Sequence, residues 1–92
     1  MQIEELVWHE QTVEKLQRKH QVTQAEVEEV FFLGRPYFRS SGNVVYAFGQ
    51  TQAGRYLFVV FKDLRQGRAE IITARPMDQA ERRHYKKRRE LL

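Results

Sequence analysis

Between Tyr56 and Phe61 the chain reads YLFVVF, six apolar side chains in succession. A run this short with no alternation fits a strand buried on both faces, and such a strand belongs at the centre of a sheet. The turn signals around it define its neighbours. Ser41-Gly42-Asn43, Ala53-Gly54 and Gln66-Gly67 punctuate alternating segments, which predict strands over 37–40, 44–50, 55–64 and 68–75 joined by short hairpins into an antiparallel meander.

Upstream of Pro36 the period is helical. Val13, Leu16 and His20 stand at i, i+3 and i+7, a stripe that predicts a first helix over 12–20. Thr23 with Glu26 three residues on is a capping box, and Val22 before the cap can staple onto Val27. The second helix therefore starts at Thr23 or Gln24, buries Val27, Val30 and Phe31, and ends at Gly34 before Pro36. Pro76 stops the last strand, and Asp78 with Glu81 repeats the cap signature for a C-terminal helix running toward Leu92. Leu6, Val7 and Trp8 are a short apolar patch, either a first strand or a staple onto the sheet. The expected architecture is one α+β domain over residues 1–92, with two N-terminal helices, a four-stranded antiparallel meander and a C-terminal helix.

Several chemistries are excluded by residue content. The chain has no cysteine, so disulfides, thiolate metal sites and thiol nucleophiles are ruled out, and a reducing cytoplasm is the simplest location. Its first residues, MQIEELVWHE, are acidic where a signal peptide is positive, and no apolar run approaches the roughly 18 residues of a membrane span. No membrane association is expected. Glycine-rich phosphate loops are absent, and His9, His20 and His84 lack metal-ligand spacing, so neither a small-molecule cofactor nor a metal is expected. Ser40 and Ser41 lack the glycines of a nucleophile elbow.

Charge is divided unevenly along the chain. Residues 1–32 hold seven acids against three bases, whereas residues 33–92 hold thirteen bases against five acids, six of those bases in the run RRHYKKRR from Arg82 to Arg89. That end suits a polyanion, with Arg83, Lys86 and Lys87 as candidate RNA contacts, although a basic terminal helix is also a common solvated face. Cleavage of RNA without metal needs in-line attack by the 2′-OH, a cation to stabilise the extra phosphate charge and groups to move two protons. Arg75, fixed between the end of a strand and Pro76, is the best-placed guanidinium. Its structural alternative is to pair with Asp78 or Glu81 and clamp the start of the helix. His20 is either a proton-transfer group or a hydrogen-bonded boundary residue, one of His84 and Tyr85 should face the sheet, and Trp8 either stacks on a base or belongs to the core.

Four blocks in order, Val7-Trp8, RKHQVT leading into AEVEEVF, GRYLFVVF, and IITARPMDQAERRHYKK from Ile71 to Lys87, resemble the BrnT-like toxins of bacterial type II toxin-antitoxin systems, within the RelE-like ribonuclease superfamily. The resemblance spans nearly the whole chain. It implies a small antiparallel sheet flanked by helices, a ribonuclease that halts translation by cutting RNA, and a cognate DNA-binding antitoxin that masks the site; with no metal expected, the leading reading is a metal-independent endoribonuclease. Carried onto matching positions it points to Arg75, Glu81, Arg82 and Tyr85, and to Lys19 with His20. In that reading Arg75 and Arg82 hold the scissile phosphate while His20 or Tyr85 handles protons. The chain departs from the usual pattern at His9, where Asp commonly follows the Trp, and at Gln21, where Gly commonly follows the Lys-His pair. The alternative is a non-catalytic RNA- or protein-binding module of the same fold.

Overall fold

In the computed structural model, which describes residues 1–90, the order of elements is β1 (Glu5–Val7), α1 (Glu10–His20), α2 (Gln24–Phe32), β2 (Tyr37–Ser41), β3 (Val44–Gln50), β4 (Tyr56–Arg65), β5 (Arg68–Pro76) and α3 (Gln79–Glu90). The meander forms as expected, β2 to β5 pairing antiparallel with neighbours in sequence. The sheet nevertheless has five strands in the order β1-β5-β4-β3-β2, because β1 adds parallel to β5 with Leu6 opposite Ala69. The expected four-stranded antiparallel sheet is thus corrected to a five-stranded mixed one with β4 in the middle. Three residues carry too little alternation to distinguish a strand from a staple. Helix α1 starts at Glu10 rather than Thr12, the His9 carbonyl accepting from the N–H groups of Thr12 and Val13. The expected run of α3 to Leu92 lies outside the described residues beyond Glu90.

Two layers flank the sheet. On one face α1 lies over β5 and α2 over β3 and β4, enclosing Leu16, Val22, Val27, Val30, Phe31, Ala47, Leu57, Val59, Phe61 and Ile71, with Trp8 packed against them. Trp8 therefore belongs to this core. On the other face the smaller cluster of Phe48, Phe58, Met77 and Tyr85 underlies α3. The period-2 rule sorts β4 between these faces, Leu57, Val59 and Phe61 toward α1 and α2, Phe58 and Val60 toward α3. Gly49 admits the close approach of α2, since a Cβ there would meet Val30 Cγ1 at 2.7 Å. The β4–β5 hairpin turns on Gln66 (φ 56°) and Gly67 (φ 76°), the two positive angles that a type I′ turn requires.

One register shift decides where the later chemistry sits. Val60 lies opposite Thr73 while Phe61 lies opposite Ile71, so Ile72 is an extra residue in β5. Strict alternation from Ala69 and Ile71 would aim Arg75 into the α1/α2 core. The bulge moves Ala74 to that core and turns Arg75, opposite Phe58, to the α3 face.

The junction between α1 and α2 is held by one arginine. Arg55 donates to the carbonyls of Gln21 (2.6 Å) and His20 (3.2 Å), which end α1, and to both oxygens of Glu26 (2.9 and 3.0 Å). Glu26 also closes the capping box with Thr23, as the sequence predicts. Gln21 itself adopts a left-handed conformation (φ 52°, ψ 41°), which favours glycine. We expect Gln21→Gly to stabilise the fold by about 0.5–1 kcal/mol, the relief of left-handed strain exceeding the added chain entropy and the loss of the Gln21 side-chain bond to the Arg18 carbonyl. Thermal denaturation checks this, with a rise of roughly 2–8 °C expected.

Candidate functional site

Helix α3 is built almost entirely of polar residues, and Tyr85 is its one buried side chain. A helix of that composition needs other anchors, and the sheet supplies tyrosines. The Arg82 guanidinium lies 4.7 Å and the Lys86 ammonium 5.3 Å from the Tyr56 ring centroid, while Arg88 lies 4.4 Å from that of Tyr37. Tyr56 begins β4, Tyr37 begins β2 and Pro76 ends β5, so α3 crosses one end of the sheet and leaves the rest of that face open.

The start of α3 is a second capping box. The Glu81 N–H donates to Asp78 Oδ1 (2.7 Å), and the Asp78 N–H donates to Glu81 Oε1 (2.9 Å). Arg75 completes the arrangement, donating from both terminal nitrogens to the two Glu81 oxygens at 2.8 Å and to the Pro76 carbonyl at 3.1 Å, with its guanidinium 4.4 Å from the Phe58 centroid. The helix-clamping alternative for Arg75 is therefore realised. It does not exhaust the side chain, because these bonds use three of five N–H donors and leave two for another acceptor.

Beside that pair an open cleft of about 420 Å³ is lined by Arg39, Tyr46, Phe48, Phe58, Arg75, Ala80, Glu81 and His84, within the size range of small-ligand sites. Its floor is aromatic, Tyr46 and Phe48 standing 5.0 and 5.1 Å from Phe58 between ring centroids. His84 stands at the helix side, its ring 6.2 Å from that of Tyr37. The exposed imidazole and two guanidiniums in one concavity can hold a phosphate and exchange a proton.

The sequence candidates are distributed as follows. Arg75 and Glu81 share the cleft. Arg82 lies on another side of α3, near Arg55, Tyr56, Pro76 and Met77. Arg82, Arg83 and Lys86 edge a separate hollow with Gln79, and Lys87 is exposed. Tyr85 is the one of the His84–Tyr85 pair that faces the sheet; it is 1% exposed and its hydroxyl accepts from Arg89 at 3.1 Å. His20 and Lys19 end α1 in the opposite layer, half-buried and exposed respectively, and His20 is not among the residues that line the cleft with Arg75. Arg39, Tyr46 and His84 enter the cleft without having been singled out as its members. The cross-strand register reveals Arg39 and Tyr46, and RRHY carries the His84 signal.

Electrostatics at the two capping boxes is similar. Bidentate hydrogen bonding from Arg75 holds the Glu81 carboxyl below its ordinary value of 4.5 against the opposing pull of partial burial, with help from the Asp78 N–H. For Glu26 burial is the largest influence and pulls upward, but the Thr23 N–H and Arg55 together outweigh it and the value is lowered. Carboxyls whose folded values lie below the unfolded one stabilise the fold above about 4.5, and that stability is lost as pH falls through the folded values. Melting temperatures should therefore fall below pH 4.5, and Glu26→Gln with Glu81→Gln should lower the neutral-pH plateau and flatten the acid limb. An unchanged acid limb in that double variant would contradict the assignment.

Among the described residues no helix is long and apolar enough to cross a membrane, and no three histidine, aspartate or glutamate side chains are grouped as metal ligands. A profile described as the ribonuclease toxin BrnT of type II toxin-antitoxin systems matches residues 8–81, ending at Glu81 before the basic run. In fold the chain is similar to the ribonuclease toxin BrnT of Brucella abortus, solved at 1.1 Å resolution, with a TM-score of 0.65 and 20% identity over 82% of this chain and 97% of that one. No curated protein is significantly similar in sequence.

Proposed function

The chain belongs to the BrnT family of ribonuclease toxins of type II toxin-antitoxin systems, and from that premise we propose that it is a metal-independent endoribonuclease that inhibits translation in the cytoplasm. Its natural partner is an antitoxin, in this reading a DNA-binding protein that covers the cleft until released. The observation that carries the proposal is Arg75, turned by the bulge at Ile72 onto an open sheet face with two N–H donors to spare and His84 in the same cleft.

The chemistry follows from those groups. Attack of a ribose 2′-oxygen on the adjacent phosphorus forms the new P–O bond as the 5′-oxygen leaves, giving a 2′,3′-cyclic phosphate and a free 5′-hydroxyl. Charge accumulates on the non-bridging oxygens as this happens. Arg75, held in place by Glu81, meets that charge without having to reorganise. The 2′-hydroxyl gives up its proton and the 5′-oxygen gains one; the imidazole of His84 carries one of these transfers and water the other, a role His84 fills from the cleft more directly than His20 in the opposite layer or Tyr85 in the core. Arg82, Arg83, Lys86 and Lys87 face solvent along α3 and draw the RNA backbone toward the cleft. Lys19 lies on the other layer, where it adds to the general field.

The test is incubation of the purified protein with total RNA in EDTA beside His84→Gln. Fragments carrying cyclic phosphate ends, reduced roughly 10²-fold or more in the variant, are the expected result. Salt-sensitive RNA binding with no product would instead establish the non-catalytic module.

A further inference from the structure

Two rows of side chains cross the open face of the sheet. Arg75, Phe58, Phe48 and Tyr37 stand side by side in register on β5, β4, β3 and β2, and the next row is Thr73, Val60, Tyr46 and Arg39. The first row brings the phosphate anchor to one end of an aromatic floor. The second brings an exposed guanidinium, Arg39, directly across the strand pair from the half-buried Tyr46, where neighbouring side chains stand about 5 Å apart at Cβ. Among the described residues the Arg39 side chain makes no hydrogen bond or salt bridge, whereas Arg75 and Arg55 are both engaged by carboxylates. Arg39, Tyr46 and Arg75 line the same cleft.

We propose that Tyr46 and Arg39 form a base-recognition subsite that stacks and reads a guanine next to the phosphate held by Arg75. This rests on the RNA-cleaving reading and adds the base it selects. The ring of Tyr46 gives a stacking surface that any base can use, and the wider purines use it best. Selection comes from Arg39. A guanidinium has donors and no acceptor, so its fork is satisfied by an edge that presents two acceptors together, as guanine does with N7 and O6. Adenine offers N7 beside an amino donor that faces the fork with the wrong polarity, and cytosine, whose unpaired N3 and O2 are also two acceptors, has the smaller ring to stack on Tyr46.

The probes are four 2′-O-methyl pentanucleotides, uridine throughout except for a central G, A, C or U, which cannot be cleaved at the modified riboses. Binding is followed by fluorescence anisotropy at low salt. The wild type should bind the G pentamer roughly tenfold more tightly than the others. Arg39→Gln, an exposed substitution, should bring G to the level of A while stacking persists, and Tyr46→Leu should weaken all four by about tenfold. Equal affinities for all four pentamers, or a G preference that survives Arg39→Gln, would overturn the subsite and leave the ribonuclease reading standing. Failure of every pentamer to bind, together with intact total RNA in the cleavage assay, would remove both.

Discussion

Arg75→Ala is expected to slow RNA cleavage by about 10²–10³-fold, the usual loss when one pre-positioned charge-stabilising donor is removed from a reaction centre. The reasoning is local. Arg75 is held at three points, by the two Glu81 oxygens and the Pro76 carbonyl, so its remaining donors are aimed before substrate arrives. Removing the side chain also leaves Glu81 without its counter-charge, but that carboxylate keeps the Asp78 N–H and faces partial solvent. The stability loss should therefore be modest. Arg75→Lys separates charge from geometry, since an ammonium cannot bridge both Glu81 oxygens in a planar fork and also reach the cleft. We expect it to recover about a tenth of wild-type activity. Initial rates measured well below each variant's melting temperature decide the matter, and a wild-type rate in Arg75→Ala would place the reaction centre elsewhere.

Phe61→Ala should have the largest effect on stability, about 3–5 kcal/mol. Phe61 is fully buried on the central strand and meets Phe31 of α2 edge-on at 5.4 Å and Phe38 of β2 at 5.8 Å. One ring thus ties three elements together, and a cavity there has no neighbour free to collapse into it. In a domain of this size such a loss is a large part of the total, roughly 5–15 kcal/mol, and corresponds to about 12 °C or more of melting temperature. Phe58→Ala on the cleft side should cost less, because its ring borders open space and solvent replaces it in part. Denaturant titration of the two variants checks the order, and a Phe61→Ala loss under 1 kcal/mol would contradict the packing described.

Sequence and structure agree where a local pattern suffices. Thr23-x-x-Glu26 and Asp78-x-x-Glu81 each bring their two partners within one helical turn, and both boxes close. YLFVVF announces its central place because burial on both faces leaves no polar position in it. Patterns that depend on pairing are less legible. Nothing around Ile72 marks it as the unpaired residue, yet that bulge decides whether Arg75 meets core or cleft. Arg39, Tyr46 and His84 come from three elements and share no spacing, so only the register of β2 on β3 and the crossing of α3 assemble them. His20 and Arg75 are both reasonable ribonuclease residues by type, but the sheet lies between the layers that carry them. Gln21 is not legible in this way, since nothing in its residue type announces the left-handed backbone that it adopts and that favours glycine.

The parallel strand β1 has a consequence for the order of events at the ribosome. Its partner is β5, so Leu6 leaves the exit tunnel early and waits for Ala69, a wide separation that makes this pairing costly in chain entropy and late in folding. The cleft is later still, because Arg75, Glu81 and His84 all follow Ala69 in the chain. A nascent polypeptide arrested anywhere before α3 carries most of the fold's apolar surface and none of its assembled chemistry. Translation of this protein thus completes its scaffold before its cleft, since Arg75, Glu81 and His84 emerge last.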